Sequence, residues 1–345
     1  MNETQQGDRP SRRRRTVAGA LVGVMSVLLG LGAVAAVGNT YALRLEDVSI
    51  PLDGGHLDGV LAWPESVDGP VGVVVFVHGD GAVDATSDGF YQPIWESLAE
   101  AGYASLSWSK PGVGGSSGDW LDQSLTDRAT EVEAAMDWVA VQPGIDADRI
   151  GLWGASQAGW VVPAVAAERD VAFAILVSPA ISWLRQGRYN LRAELDEESA
   201  TADERATALA VSDDTRRLLD EGADHARYLS ETLDPDPMDE ARWGFVSRNH
   251  LADATSDLSA MGAAQVPTLL LLAEDDLNVD VDETEAVYRD LLGTSLEVHR
   301  FPDARHTLAR TAVEDHTVWG TLVAVLAPRE VFAPGYLDVQ RDFLR

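Results

Sequence analysis

The run Val71–Val77, VGVVVFV, constrains this chain more than any other feature. It carries no polar side chain and is rich in β-branched valine. Such a short continuous apolar run reads as a strand covered on both faces, which is the situation of a strand inside a parallel sheet. The chain that follows has the same grammar. Phe90 to Ala101 is helical in period and stops at Gly102. Tyr103 to Trp108 reads as a strand. Leu125 to Val141 is an amphipathic helix with Leu125, Ala129, Val132, Ala135, Met136 and Val139 on one face. Arg149 to Trp153 is a strand, Gln157 to Ala167 a helix, and Val171 to Val177 a strand. Alternation of this kind predicts right-handed crossovers and a mostly parallel sheet flanked by helices, an α/β architecture. Ahead of it, Leu43 to Pro51 and Leu57 to Pro64 alternate apolar and polar around Asp53-Gly54-Gly55, which predicts a hairpin.

The pattern breaks at Ser182. From there to about Ala264 the sequence is polar, acidic and helical, with no run of the buried-strand type. Alternation resumes with a strand at Pro267 to Leu272, a helix from Asp282 to Leu292, a strand at Ser295 to Phe301 and a final helix from about Glu314. One α/β domain, 38–345, is therefore expected to carry a helical insert over 182–264, and inserts of that length commonly serve as lids.

The N-terminus is of another kind. Residues 1–15 form a basic tail ending in Arg12-Arg13-Arg14-Arg15, and Thr16 to Val37 contains no charge. At about 1.5 Å per residue the stretch can cross a hydrocarbon core of about 30 Å, and the arginines predict a cytoplasmic N-terminus. The segment is either a transmembrane anchor or a signal peptide cleaved near Ala33-Val34-Ala35 or Ala36-Val37-Gly38, with a faint likeness to a twin-arginine export signal. Either reading places the rest of the chain outside the cytoplasm, membrane-anchored or secreted.

Composition removes several functions. The net charge of −30, from 56 acidic and 26 basic residues, repels phosphate backbones, so no nucleic-acid partner is expected. It also disfavours docking of the folded domain on anionic lipid. There is no cysteine, hence no thiol nucleophile, disulfide or cysteine-held zinc, and the seven histidines show no metal-ligand spacing. No metal and no cofactor are expected. Lys110 is the sole lysine, which on composition alone reads as a genome-level preference for arginine.

The chemistry concentrates at the strand ends. Ile150 to Trp153 leads into Gly154-Ala155-Ser156-Gln157-Ala158-Gly159 and then an alanine-rich helix. A serine held in a sharp strand-to-helix turn needs small neighbours, which Gly154, Ala158 and Gly159 provide. The Gln157 amide then lies at a helix start, without an intrahelical partner. The strand Val71–Val77 ends in His78-Gly79-Asp80-Gly81, whose backbone can supply a second amide to a developing oxyanion, that of Asp80 or alternatively Gly81. His78 itself is expected to hold this loop through side-chain hydrogen bonds. Ala273 to Val279 follows a buried strand and offers Asp276, with Asp275 as competitor. Phe301 to His306 follows the last strand and offers His306. The order Ser156, Asp276, His306 suits a nucleophile, an orienting acid and a general base. In that scheme activity falls at low pH as His306 protonates. Trp160, Tyr91 and Trp183, with Trp108, are candidates for lining an acyl pocket.

With these motifs the chain resembles the α/β-hydrolase superfamily from about Leu43 to its end, and is most similar to bacterial serine hydrolases of the dienelactone hydrolase and prolyl-oligopeptidase-like groups. The residues that carry the likeness are His78-Gly79, Ser109 to Ser116, the elbow Gly154 to Gly159 (Ala158 replacing a glycine), Ala273 to Val279 (Ala273 replacing a glycine) and Phe301 to His306. The resemblance supports Asp276 over Asp275. It implies the α/β-hydrolase fold and cofactor-free hydrolysis of ester, thioester or peptide-like bonds. Carboxylic ester hydrolysis is the first expectation. A serine peptidase whose acids around Glu194 to Glu204 hold a peptide's free amine is the second, and an inactive binding domain the third. The substrate expected is a small ester or short peptide.

Overall fold

The computed structural model describes residues 30–345. The strands β1 (Leu43–Leu52), β2 (Gly55–Pro64), β3 (Val71–Val77), β4 (Tyr103–Trp108), β5 (Ile145–Ala155), β6 (Ala174–Val177), β7 (Thr268–Ala273) and β8 (Leu296–Phe301) form one sheet in the order β1-β2-β4-β3-β5-β6-β7-β8. β1 and β2 pair antiparallel as the predicted hairpin, β2 meets β4 antiparallel, and every later pair is parallel. All of Val71–Val77 is buried, as a strand covered on both sides must be. Its side chains alternate between two cores. Val73, Val75 and Val77 face one with Val132, Met136, Val161 and Leu258. Val74 and Phe76 face the other with Ile94, Trp95, Leu98 and Tyr336. The two-residue period of a strand thus feeds both helical layers.

The first layer contains α3 (Leu125–Ala140), α4 (Val161–Glu168), α9 (Thr255–Ala263) and α10 (Val281–Leu292), and the second contains α2 (Gln92–Glu100) and α13 (Tyr336–Phe343). α3 starts on a reciprocal cap in which Ser124 and Asp127 each bond the other's backbone amide, a motif that fixes where such a helix begins.

The insert is α5 (Trp183–Glu197), α6 (Ala202–Asp220), α7 (His225–Glu231) and α8 (Glu240–Asn249). It has its own small core, where Tyr228 stacks on Trp243 with centroids 3.9 Å apart beside Leu218 and Ala223. The expected end of the insert at Ala264 needs correcting. α9 buries Leu258 and Met261 completely and packs on α4 and α10, so it is the crossover helix between β6 and β7. Its two buried side chains sit three apart on a short polar helix, too weak a period to separate it from the lid by sequence.

Of the N-terminal expectations, the basic tail and the stretch 16–29 lie outside the described residues. Residues 30–38 form a helix, α1, ahead of β1. Among the described residues no helix is long and apolar enough to cross a membrane.

Candidate active site

β5 ends at Ala155, and the chain turns through Ser156–Gly159 into α4. Ser156 has φ of 54°, a left-handed backbone that a serine seldom adopts. The neighbours that allow this turn are small for visible reasons. A Cβ on Gly154 would stand 2.7 Å from Val162 Cγ2 and 2.8 Å from Ala158 Cβ. A Cβ on Gly159 would stand 2.3 Å from the Ala180 oxygen and 2.6 Å from its nitrogen. The Ala180 amide in turn donates to the Ser156 oxygen at 3.0 Å, tying the elbow to the loop after β6. Because these obstacles are backbone, Gly159→Ala should cost about 3 kcal/mol of stability, read as a fall in Tm, whereas Ala158→Gly should cost about 1 kcal/mol or less.

Asp276 and His306 come together across the ends of β7 and β8. His306 Nδ1 lies 2.8 Å from Asp276 Oδ2 and 3.0 Å from Oδ1. The Asp276 side chain is fully buried, and Oδ1 also accepts from the Asn278 amide at 2.7 Å and the Val279 amide at 3.1 Å. Facing an anion, Nδ1 carries the proton, which leaves the Nε2 lone pair free. Nε2 is buried and has no hydrogen-bond partner among the described residues. An unsatisfied buried nitrogen with its opposite face clamped is the arrangement of a base awaiting a proton. Asp275 is turned elsewhere and accepts from Thr311 Oγ1 at 2.6 Å.

The loop after β3 passes close to Ser156: a Cβ on Gly79 would stand 3.3 Å from Ser156 Cβ. The Asp80 amide donates to nothing among the described residues. The Gly81 amide, the alternative donor, likewise has no hydrogen-bond partner among the described residues. His78 bonds Tyr91 Oη at 3.0 Å through Nδ1 and the Trp108 oxygen through Nε2. Burial, followed by the charge of Lys110, pushes its imidazole down to about 3, so it is a neutral strut for the loop.

Sequence reasoning missed what lies under this loop. Lys110 Nζ donates to the Gly79 oxygen at 2.6 Å and sits 4.9 Å from the centre of the Trp120 ring. Arg128 Nη2 donates to the His78 oxygen at 2.7 Å, and Nη1 donates to Gln157 Oε1. Gln157 Nε2 then donates to Asp80 Oδ1 at 3.1 Å, closing a network between elbow and loop. Both basic side chains are buried. Burial, then the neighbouring Arg128 charge, pulls the Lys110 ammonium well below its ordinary value, yet the amine keeps an N–H to donate in either state. The signal was in the sequence: a chain with a single lysine has buried it at this one carbonyl.

The helical insert reaches the candidate site at several points. Arg242 of α8 grips both Asp80 oxygens, at 3.1 and 2.7 Å. Burial alone would raise the Asp80 carboxyl, but Arg242 holds it below its usual range. Tyr189 Oη of α5 donates to the Asp276 oxygen at 3.0 Å, and Glu197 pairs with Arg305 beside His306 at 2.8 Å. Between α5 and α6 lies a groove of about 1510 Å³ whose lining includes Trp183, Leu191, Leu195, Ala208, Val211 and Met238. Ser156, Asp276 and His306 do not line it; it approaches the site through Tyr189 and Asp280.

The four candidate pocket aromatics therefore separate. Trp183 lines this groove. Trp160 stacks behind it at 5.2 Å and donates to the Ile181 oxygen. Tyr91 is a correction: it is buried against Phe76 and Trp153, with its hydroxyl on His78, because its helix faces the core rather than the site. Trp108 is likewise buried, with its indole N–H on Glu131.

Residues 68–311 match the family model described as serine aminopeptidase, S33. The chain belongs to this family. Among solved structures, this S33-family chain is similar to an esterase of Pyrococcus furiosus, with a TM-score of 0.54 at 16% identity over 88% of this chain and 90% of that one. It is similar to Est1E of Butyrivibrio proteoclasticus, solved with ferulic acid bound, with a TM-score of 0.52 at 19% identity over 81% and 96%. It is also similar to an acylaminoacyl peptidase of Pyrococcus horikoshii, with a TM-score of 0.53 at 14% identity over 88% of this chain and 41% of that one. No curated protein matches it. At these identities the neighbours speak for the fold, and with the family match they make this S33-family chain an α/β-hydrolase of the serine type.

Proposed function

We propose that this S33-family chain cleaves carboxylic esters or thioesters through an acyl-enzyme on Ser156. The observation that carries the reading is His306, clamped on Asp276 through Nδ1 with its buried Nε2 left open. The Ser156 hydroxyl proton passes to Nε2 as Oγ bonds to the carbonyl carbon. Negative charge then builds on the carbonyl oxygen, between the Asp80 and Gln157 amides. The proton moves from Nε2 to the departing alcohol or thiol, and water repeats the sequence to release the acid. The contacts of Asp276 and His306 weigh against an inactive binding domain, which has no need to keep them.

In this reading Lys110 and Arg128 are positioning residues. A peptide carbonyl and the next amide point in opposite directions. Holding the Gly79 oxygen from beneath therefore aims the Asp80 amide outward, and holding the His78 oxygen does the same for Gly79. Lys110→Met keeps the stem and removes the donor. It should lower kcat by about a hundredfold with little change in KM, since the loop's alignment is felt when the oxyanion forms. An equal rise in KM with kcat intact would assign Lys110 to substrate binding instead.

The test of the main reading is hydrolysis of p-nitrophenyl esters from acetate to laurate, with Ser156→Ala as control. Turnover that vanishes in the control establishes the esterase, and the best chain length sizes the acyl site. Turnover that survives in the control rejects it.

A second reading, a peptidase for substrates with a free amine, draws on Glu198 and Asp203, which line the lid groove. Other acids of that stretch are committed elsewhere: Asp196 to Arg205, Glu197 to Arg305 and Glu204 to the cap of α6. We also propose that the uncharged stretch 16–37 holds the chain at a membrane, with the domain on the outer side.

A further inference from the structure

α12 (Thr317–Leu326), which follows the short α11 (Thr311–Glu314), is anomalous in a chain of charge −30. Its sequence, TVWGTLVAVL, has no charged residue, yet it lies on the surface. Val318 is 78% exposed, Trp319 56%, Leu322 46% and Val325 51%; Val323 alone is buried. Val318, Leu322 and Val325 follow the four- and three-residue steps of one helical face. A helix uncharged all round is normally buried in a core or in lipid, and a contiguous exposed apolar patch marks a contact surface.

The place of this face in the fold identifies its cover. α12 lies beside α1, the last part of the uncharged run that follows Arg12 to Arg15. The two helices are fastened together. Asn39 Nδ2 donates to the Val325 oxygen at 2.8 Å, and Gly38 approaches the Leu326 oxygen so closely that a Cβ there would stand 2.4 Å away. Arg329, just beyond α12, donates to the Gly38 oxygen at 2.7 Å and the Thr40 oxygen at 2.9 Å, where a cation suits a helix C-terminus. Val34 and Val37 of α1 are exposed too and line one surface hollow with Leu326 at the end of α12. A segment leaving the domain along α1 into a bilayer would bring this second apolar helix to the same membrane surface.

We propose that α12 docks in the bilayer interface, with Trp319 at the headgroup level, as a second contact that fixes the catalytic domain's orientation. This rests on the reading that residues 16–37 hold the chain at the membrane. The partner is a zwitterionic lipid surface: α12 brings no charge, and the acidity of the domain opposes anionic lipid.

The absence of cysteine gives a clean test. Leu322→Cys and, as reference, Val141→Cys, itself 78% exposed and remote in sequence from both helices, each carry one spin label on the full chain, mixed with phosphatidylcholine vesicles and floated on a density gradient. The expected result is that the chain floats, and that the label at 322 becomes accessible to oxygen and shielded from an aqueous nickel chelate while the label at 141 does the reverse. A floating chain with both labels equally open to nickel overturns the docking and leaves the anchor standing. A chain that does not float overturns both. Shielding at 322 that persists without lipid, with broadening between labels, assigns the face to a second copy of the chain and also overturns the proposal. Val318→Cys, on the same face, repeats the measurement if the first variant folds poorly.

Discussion

Replacing Ser156 by alanine should reduce ester turnover by a factor on the order of 10⁶ while leaving the melting temperature nearly unchanged. The residue already sits at φ of 54°, so alanine inherits the same backbone strain rather than adding to it. Its carbonyl still accepts from Ala180, and the small neighbours that permit the turn are untouched. Only Oγ is lost, and with it the bond that would hold the acyl group. What remains is the loop, the amides and the lid, which can bind a substrate without taking part in covalent chemistry. A residual rate within about tenfold of the parent would mean that another group, or a bound water, is the nucleophile, since uniform binding alone cannot supply the missing barrier.

Asp276→Asn should lower kcat by about 10⁴-fold, and the surroundings say why the swap is so costly. Oδ1 of Asp276 accepts from the Asn278 and Val279 amides. An asparagine keeps these bonds only by placing its oxygen there, which turns its NH₂ toward His306 Nδ1. A donor facing Nδ1 forces the imidazole proton onto Nε2, and a protonated Nε2 cannot take the proton of Ser156. Substrate affinity should change little, because Asp276 has no exposed side chain to offer a ligand. Steady-state kinetics separate the outcomes: a fall in kcat alone supports the tautomer argument, whereas a fall of less than about tenfold would mean that Asp276 does not orient the base.

Much of this was legible in the sequence, and the part that was not has a common cause. Buried strands announce themselves through unbroken apolar runs such as Val71–Val77, and the elbow through the small residues around Ser156. Asp276 and His306 stand on loops after recognisable strands, so their meeting follows from sheet order. The contacts of the buried pair under the loop after β3 could not be read locally, since they join distant parts of the chain: Lys110 reaches back to Gly79 and Arg128 to His78, and only the uniqueness of Lys110 marked it out. A charged residue among the several on an amphipathic helix such as α3 reads as solvated, and no local pattern says that Arg128 turns inward. Tyr91 misled for the opposite reason. An aromatic near a catalytic loop suggests a pocket, but its hydroxyl had a partner in His78 and its ring a place among Phe76, Trp95 and Trp153. α9 was assigned to the lid because polarity, rather than packing, was the only guide along that stretch.

The helical insert is tied to the candidate site on two sides. Arg242 grips Asp80 in the loop after β3, and Tyr189 Oη donates to the backbone oxygen of Asp276.

The most direct test of the account is mass mapping of a fluorophosphonate adduct on the full chain. One adduct per chain is expected, on the peptide containing Ser156, absent in Ser156→Ala and strongly slowed in His306→Ala. An intact protein that takes no adduct, or takes it on another serine, would contradict the assignment of Ser156 as nucleophile.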